Sequence, residues 1–126
     1  MPARVIHNDK MPATLGPYSH AVAASGELLF ISGQSGMDPV TREVPSVFEG
    51  QARNAFNNLA SVVTAAGLTM RDVVKTTVYL ADASQFEVLN ALFGEYFPSD
   101  PPTRATPIVQ LPKGLLISIE AIAAKP

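Results

Sequence analysis

Leu28-Leu29-Phe30-Ile31 sets four large apolar side chains in a row. A strand points successive side chains to opposite faces, so a run without a polar break asks for cover on both sides. The rest of the chain offers only two amphipathic helical patterns, and two helices blanket one face of a sheet. No third layer remains in the sequence for the other face. A neighbouring subunit is the natural cover, so the pattern predicts a homo-oligomer.

The helical patterns are well bounded. Ser46 with Glu49 has the spacing of a capping box just after Pro45. From there Ala52, Ala55, Phe56, Leu59, Val62, Val63 and Ala66 recur at helical spacing until Gly67. Asp82 and Ser84 offer caps for a second helix with Phe86, Leu89, Phe93, Tyr96 and Phe97 on its face, stopped by Pro98 and Pro101-Pro102. Residues 19–24 and 27–32 read as a strand pair about the Ser25-Gly26 turn, with an edge piece near 4–7. Residues 73–80 are rich in β-branched side chains and read as a strand. Residues 104–111 and 115–123 read as an antiparallel hairpin around Pro112-Lys113-Gly114. The order (β)ββ-α-β-α-ββ predicts an α+β fold, a mixed sheet with two helices on one face, in one domain over 1–126.

Composition removes several function classes. The 126 residues are 47% hydrophobic and 16% charged, which excludes disorder driven by charge. There is no cysteine, hence no disulfide, thiolate nucleophile, iron–sulfur cluster or thiolate zinc site, and a reducing compartment fits. Nine basic and eleven acidic residues give a net charge of -2 without a basic stripe, so no nucleic-acid partner is expected. No apolar stretch approaches the ~20 residues of a membrane span. The amino-terminal MPARVIHNDK lacks an apolar core, so a cytoplasmic protein is expected. His7 and His20 stand without HExxH or a carboxylate cluster, and GxGxxG, GxxxxGK[ST] and GxSxG are all missing. No metal, phosphate loop or nucleophile elbow is expected.

Arg104 and Glu120 stand out as charges in otherwise apolar strands. Spacing alone leaves two readings. They could form a cross-strand ion pair on a solvated face, worth under about 1 kcal/mol. Alternatively, Arg104 clamps a carboxylate with its guanidinium fork and Glu120 exchanges protons. The loop Ser32-Gly33-Gln34 is either a plain turn or a pocket lining. Tyr18, after Gly16-Pro17, is either a packed aromatic or a rim hydroxyl. Asn90 is either a structural amide or a polar group presented beside Phe86 and Phe93.

Taken together, these residues fall into a known pattern. Gly16-Pro17-Tyr18-Ser19, Phe30-Ile31-Ser32-Gly33-Gln34, Gln51-Ala52, Ala65-Ala66-Gly67-Leu68, Val74-Lys75-Thr76-Thr77-Val78-Tyr79-Leu80 and Asn90 before Tyr96-Phe97 lead to a closing stretch. That stretch holds Pro102-Thr103-Arg104-Ala105-Thr106, Leu111-Pro112-Lys113-Gly114 and Ile119-Glu120-Ala121-Ile122-Ala123. In order and spacing the chain resembles the Rid family (RidA/YjgF, reactive intermediate deaminases) over essentially its whole length. The resemblance implies a chorismate-mutase-like fold assembled as a homotrimeric barrel, helices outside and ligand clefts between subunits. It implies cofactor-free hydrolysis of enamine and imine intermediates, such as 2-aminoacrylate and related 2-imino acids, to 2-oxo acids and ammonia. Residue by residue, it makes Arg104 the carboxylate anchor and Glu120 the group that positions and activates water. Tyr18, Ser32 and Gly33 match pocket positions, and Asn90 and Thr106 match ligand-proximal ones.

The chain departs from the family pattern in three places. The interval from Arg104 to Glu120 is one residue shorter than usual. Pro107 replaces an aliphatic residue and removes a ladder donor. Ser35-Gly36 replaces an apolar–proline pair. These bear on the substrate side chain more than on the chemistry. A competing reading is a trimeric protein that binds a carboxylate metabolite without turnover. A ribonuclease or translation-inhibitor reading finds neither a basic stripe nor a catalytic histidine pair.

Overall fold

The computed structural model describes residues 3–126. Its strands are β1 (Arg4–Val5), β2 (Val22–Ala23), β3 (Glu27–Ser35), β4 (Val73–Leu80), β5 (Thr103–Ala105) and β6 (Ile117–Lys125), with helices α1 (Phe48–Ala65) and α2 (Phe86–Tyr96). The α+β class with a mixed sheet is as expected. The main sheet has the order β3-β6-β4-β5, antiparallel except for the parallel β4–β5 pair.

Two pairings differ from expectation. The expected hairpin of 104–111 with 115–123 does not form. β6 instead inserts between β3 and β4, while β5 takes the far edge of β4. The alternation on β6 explains its central place: Ile117, Ile119, Ala121 and Ala123 are all buried on one face, and strands on both sides satisfy its backbone. Pro107 falls beyond β5, and its carbonyl accepts from Leu80 N–H at 3.0 Å, so its missing donor is not called upon. Nor does 19–24 pair with 27–32. β2 pairs with β1 and β3 with β6. Gly26, at φ 114°, is a corner between the two sheets, where any Cβ would run into the Lys125 carbonyl.

The helices match their patterns except at their amino-terminal caps. α1 starts after Val47 with no side-chain cap, so Ser46 does not close a capping box. Gln51, 2% exposed, anchors this end instead. It donates to the Pro45 carbonyl at 2.8 Å and to the Gly114 carbonyl at 3.3 Å, and accepts from Leu116 N–H at 2.8 Å. Gly67 ends the helix at φ 77°. Asp82 accepts from Ser84 N–H at 2.9 Å and so caps the 3-10 turn Ala83–Gln85, whereas α2 starts after Gln85 with no side-chain cap.

Both helices lie on one sheet face. Ala52, Ala55, Phe56, Leu59 and Val63 of α1 and Leu89, Leu92 and Phe93 of α2 close over the β6 side chains. Phe56 joins the helices, stacking on Tyr96 at 4.8 Å and meeting Phe93 edge-on at 6.1 Å. Each fully buried Leu or Phe contributes about 1.5–3 kcal/mol. The other face carries Phe30, Ile122, Lys75, Thr77, Tyr79, Ser118 and Glu120, by register. Phe30 is 71% exposed there, so this chain does not supply the second cover its sequence asks for.

Candidate functional site

Arg104 lies on the helix-covered side. It pairs in register with Thr76, whose hydroxyl donates to the Thr103 carbonyl at 2.8 Å and fixes the short strand to β4. At 9% exposure its guanidinium sits 4.7 Å from the Tyr18 ring centre, 5.0 Å from Phe93 and 5.2 Å from Phe86. Nε donates to Thr106 Oγ1 at 2.9 Å and Nη2 to Asn90 Oδ1 at 2.8 Å. Nη1 is buried without a partner. Burial pulls the guanidinium pKa down, opposed by Tyr18, yet arginine keeps its proton in proteins. Among the described residues no carboxylate pairs with it. A buried cation with neither counter-ion nor full hydrogen bonding is costly, and an incoming anion relieves both deficits.

The entry loop lies against this group. Thr14 Oγ1 donates to the Gly16 carbonyl at 2.6 Å, and Leu15 N–H donates to Tyr18 Oη at 3.2 Å. Asn90 Nδ2 donates to the Leu15 carbonyl at 3.0 Å. A Cβ on residue 16 would overlap Asn90 Oδ1 and lie 2.9 Å from Arg104 Nη2, so only glycine lets the backbone pass here.

Glu120 lies on the opposite face. Its register partner is Thr77, whereas that of Arg104 is Thr76. Neighbours on one strand point to opposite sides. Arg104 and Glu120 therefore form no cross-strand pair, and one chain does not present both to one small molecule. Glu120 accepts from Tyr79 Oη at 2.8 Å, and that bond, with lesser help from burial, raises the Tyr79 pKa above its usual value. A cleft of about 300 Å³ contains Glu120, Ser32 and Lys75 over an apolar floor of Phe30 and Ile122. Lys75 Nζ donates to Thr77 Oγ1 at 3.1 Å. Ser32 reaches this cleft because β3 bulges between Ile31 and Gln34, opposite Glu120. Gly33 occupies the bulge where a Cβ would come within 2.5 Å of Ser118 Oγ.

The expected site residues thus fall into two groups. Arg104, Thr106, Asn90 and Tyr18 meet on the helix side, while Ser32 and Glu120 meet on the open side with Gly33 beside them. The sequence sets Asn90 beside Phe86 and Phe93, but not the two rings against Arg104. Their positions four before and three after Asn90 put all three on one helix face, which was the available signal. Sequence reasoning also passed over the polar alternation Lys75-Thr77-Tyr79, which marks the open face of β4. His7 and His20 line one cavity of about 500 Å³ with Asp9 and Asp100, and the His20 ring bonds the Pro12 carbonyl. Among the described residues no three His, Asp or Glu groups are placed to hold a metal. No helix there is long and apolar enough to cross a membrane.

A family profile described as Endoribonuclease L-PSP matches residues 8–125. A RutC family protein of Pyrococcus horikoshii is 43% identical over 123 residues, covering 96% of this chain and 97% of that protein. The 2-iminobutanoate/2-iminopropanoate deaminase of Homo sapiens is 44% identical over 123 residues, covering 95% of this chain and 88% of that one. A crystal structure of a Rid-family protein of unknown function from Yersinia pestis superimposes with a TM-score of 0.89 at 32% identity, covering 99% of this chain and 100% of that one.

Proposed function

This chain belongs to the Endoribonuclease L-PSP (YjgF/Rid) family, and we propose that it hydrolyses reactive enamine and imine acids to 2-oxo acids and ammonia. The observation that carries the reading is the buried Arg104 guanidinium, ringed by Tyr18, Phe86 and Phe93, with Nη1 unpaired. A substrate carboxylate satisfies that donor and neutralises the charge, which holds the electrophilic carbon in place. The 2-amino acrylate takes a proton at carbon to become an imine. Water adds to the imine carbon, and the carbinolamine loses ammonia to leave the ketone. Glu120 is the group proposed to move protons between water and nitrogen. The steps call for no cofactor.

Since one chain turns Arg104 and Glu120 to opposite faces, the reading requires a cleft shared between copies. We therefore propose a homotrimer of one-domain, cytoplasmic subunits, with the open faces, including Phe30, turned to one another. Ser32, Gly33, Asn90 and Thr106 would line the shared cleft with Tyr18. The same separation favours a second reading, in which Arg104 binds a carboxylate metabolite without turnover.

A coupled assay tests the two. An amino-acid oxidase or a pyridoxal-phosphate enzyme generates the imine, and release of ammonia and 2-oxo acid is timed with and without this protein. Acceleration is expected. No acceleration for any imino acid, with 2-oxo acid binding retained, would leave the binding reading alone standing.

A further inference from the structure

Residues 14–18 cross directly over the Arg104 guanidinium, and one side chain holds both. Asn90 Oδ1 accepts from Arg104 Nη2 at 2.8 Å while Nδ2 donates to the Leu15 carbonyl at 3.0 Å. The segment is braced within itself by Thr14 Oγ1 to the Gly16 carbonyl, Tyr18 N–H to the Gly16 carbonyl and Leu15 N–H to Tyr18 Oη. These bonds make it one braced unit. At its carboxyl end Ser19 is tied down twice, its N–H to the Pro102 carbonyl at 3.1 Å and its hydroxyl to the Pro101 carbonyl at 2.6 Å. Leu15, at its crest, is 75% exposed, so little apolar burial holds the crest down. The layout is a stiff roof, a fixed hinge at Ser19 and a latch at Asn90.

We propose that Asn90 is a latch that keeps 14–18 closed over Arg104, and that a carboxylate ligand opens it by taking the place of Asn90 on the guanidinium. The proposal rests on the reading of Arg104 as a carboxylate anchor. Nη1 is buried and unpaired, so an anion gains that contact only as 14–18 lifts. Nη2 gives one of its two N–H groups to Asn90 Oδ1, so an end-on forked grip on Nη1 and Nη2 sets a carboxylate oxygen in competition with that amide oxygen. A carboxylate is the stronger acceptor here because its charge is opposite to that of the guanidinium, whereas the Asn90 amide is neutral. Once Oδ1 is displaced, the Asn90 carboxamide is no longer fixed, and its bond to Leu15 goes with it. Binding at Arg104 and lifting of the roof are thereby one event, and Asn90 acts as a positioning residue rather than a catalytic one.

Arginine modification by phenylglyoxal, mapped by mass spectrometry, reads the roof without any ligand. In the wild type Arg104 should react at least about tenfold more slowly than the exposed Arg42 and Arg71. Asn90→Ala removes the latch, and Gly16→Ala drives a methyl group into it from the roof side. Either should bring the Arg104 rate towards that of Arg42 and leave Arg42 unchanged. Asn90→Asp supplies a built-in carboxylate, so 2-oxobutanoate affinity by calorimetry should fall at least about tenfold. Arg104 as reactive as Arg42 in the wild type overturns the latch, as does an unchanged Arg104 rate in whichever of the two alanine variants folds. Failure of 2-oxobutanoate to bind the wild type refutes the carboxylate-anchor reading instead, and is seen separately from the modification rates.

Discussion

Replacing Arg104 with methionine should remove ligand binding and leave the fold as stable as before, or more so. The guanidinium occupies an apolar slot between Tyr18, Phe86 and Phe93 at 9% exposure. Its presence carries a desolvation penalty of several kcal/mol, with no counter-ion to offset it. The unpaired Nη1 adds about 1–3 kcal/mol. Against these stand two hydrogen bonds, to Thr106 and Asn90, worth about 1.5–3 kcal/mol each as bonds to a charged group. Ring contacts add about 2 kcal/mol each to a desolvated cation. Methionine fills the slot with a flexible thioether that suits aromatic edges and contributes about 1.5–3 kcal/mol of burial. The terms nearly cancel, so unfolding free energy should stay within about 2 kcal/mol of wild type, on the favourable side if desolvation dominates. Affinity for 2-oxobutanoate should fall by at least about tenfold, since a charge-assisted pair worth about 2–5 kcal/mol is lost. Urea melts at one fixed protomer concentration, with calorimetry on the same preparation, read both quantities. A loss of more than about 3 kcal/mol of stability with ligand binding intact would refute the reasoning, because Arg104 would then be a structural group.

Three further outcomes are expected. Arg104→Ala and Glu120→Gln proteins, each inactive alone, should recover about one quarter of wild-type turnover when unfolded together at equal amounts and refolded, because that share of shared clefts combines two intact partners; no recovery would show that the two residues do not serve one cleft across copies. Phe30→Glu should leave the helix-side core untouched and reduce sedimentation-equilibrium mass from that of a trimer towards the 13.4 kDa monomer, whereas an unchanged mass would place the interface elsewhere. The bond to Glu120 holds the Tyr79 proton above the usual tyrosine range; its stabilisation is thus complete below about pH 10 and is lost as pH rises through the raised value. Glu120→Gln should move one of the three tyrosines back down in an ultraviolet titration, and identical titrations would mean that the pair does not form.

What the sequence makes legible here is local. Helical spacing from Ala52 to Ala66 marks α1 to within two residues of its end, the β-branched run marks β4 from Val73 to Leu80, and Gly67 acts as the stop its chemistry predicts. Pairing is different, because backbone donors and acceptors are the same in every strand. The turn residues between 111 and 115 suggested that the flanking segments pair with each other. Which edge β6 joins depends on the small Ala121 and Ala123 fitting beneath the helices, a tertiary fact. Ser46 lost its cap to Gln51 in the same way, since two tertiary bonds and one local one outweigh a single local motif. Arg104 could be recognised as an odd cation in an apolar stretch. Its unpaired Nη1 could not, because that depends on three rings and a loop brought from distant parts of the chain.

The division of the candidate site between two faces also makes chemical sense. A carboxylate anchor works best where water is scarce, since the attraction between unit charges grows as the effective dielectric falls. Arg104 has such a setting under 14–18 and α2. A group that trades protons with water needs the reverse, and Glu120 has it, half-buried beside Tyr79 in a cleft that opens to solvent in the single chain. In the trimer proposed above, the two groups would meet across copies, each carrying the setting of its own sheet face. It also gives Phe30 a reason to be apolar on a face that carries Lys75, Thr77 and Glu120, because the surface that must pack and the surface that must exchange protons are then neighbours on one sheet.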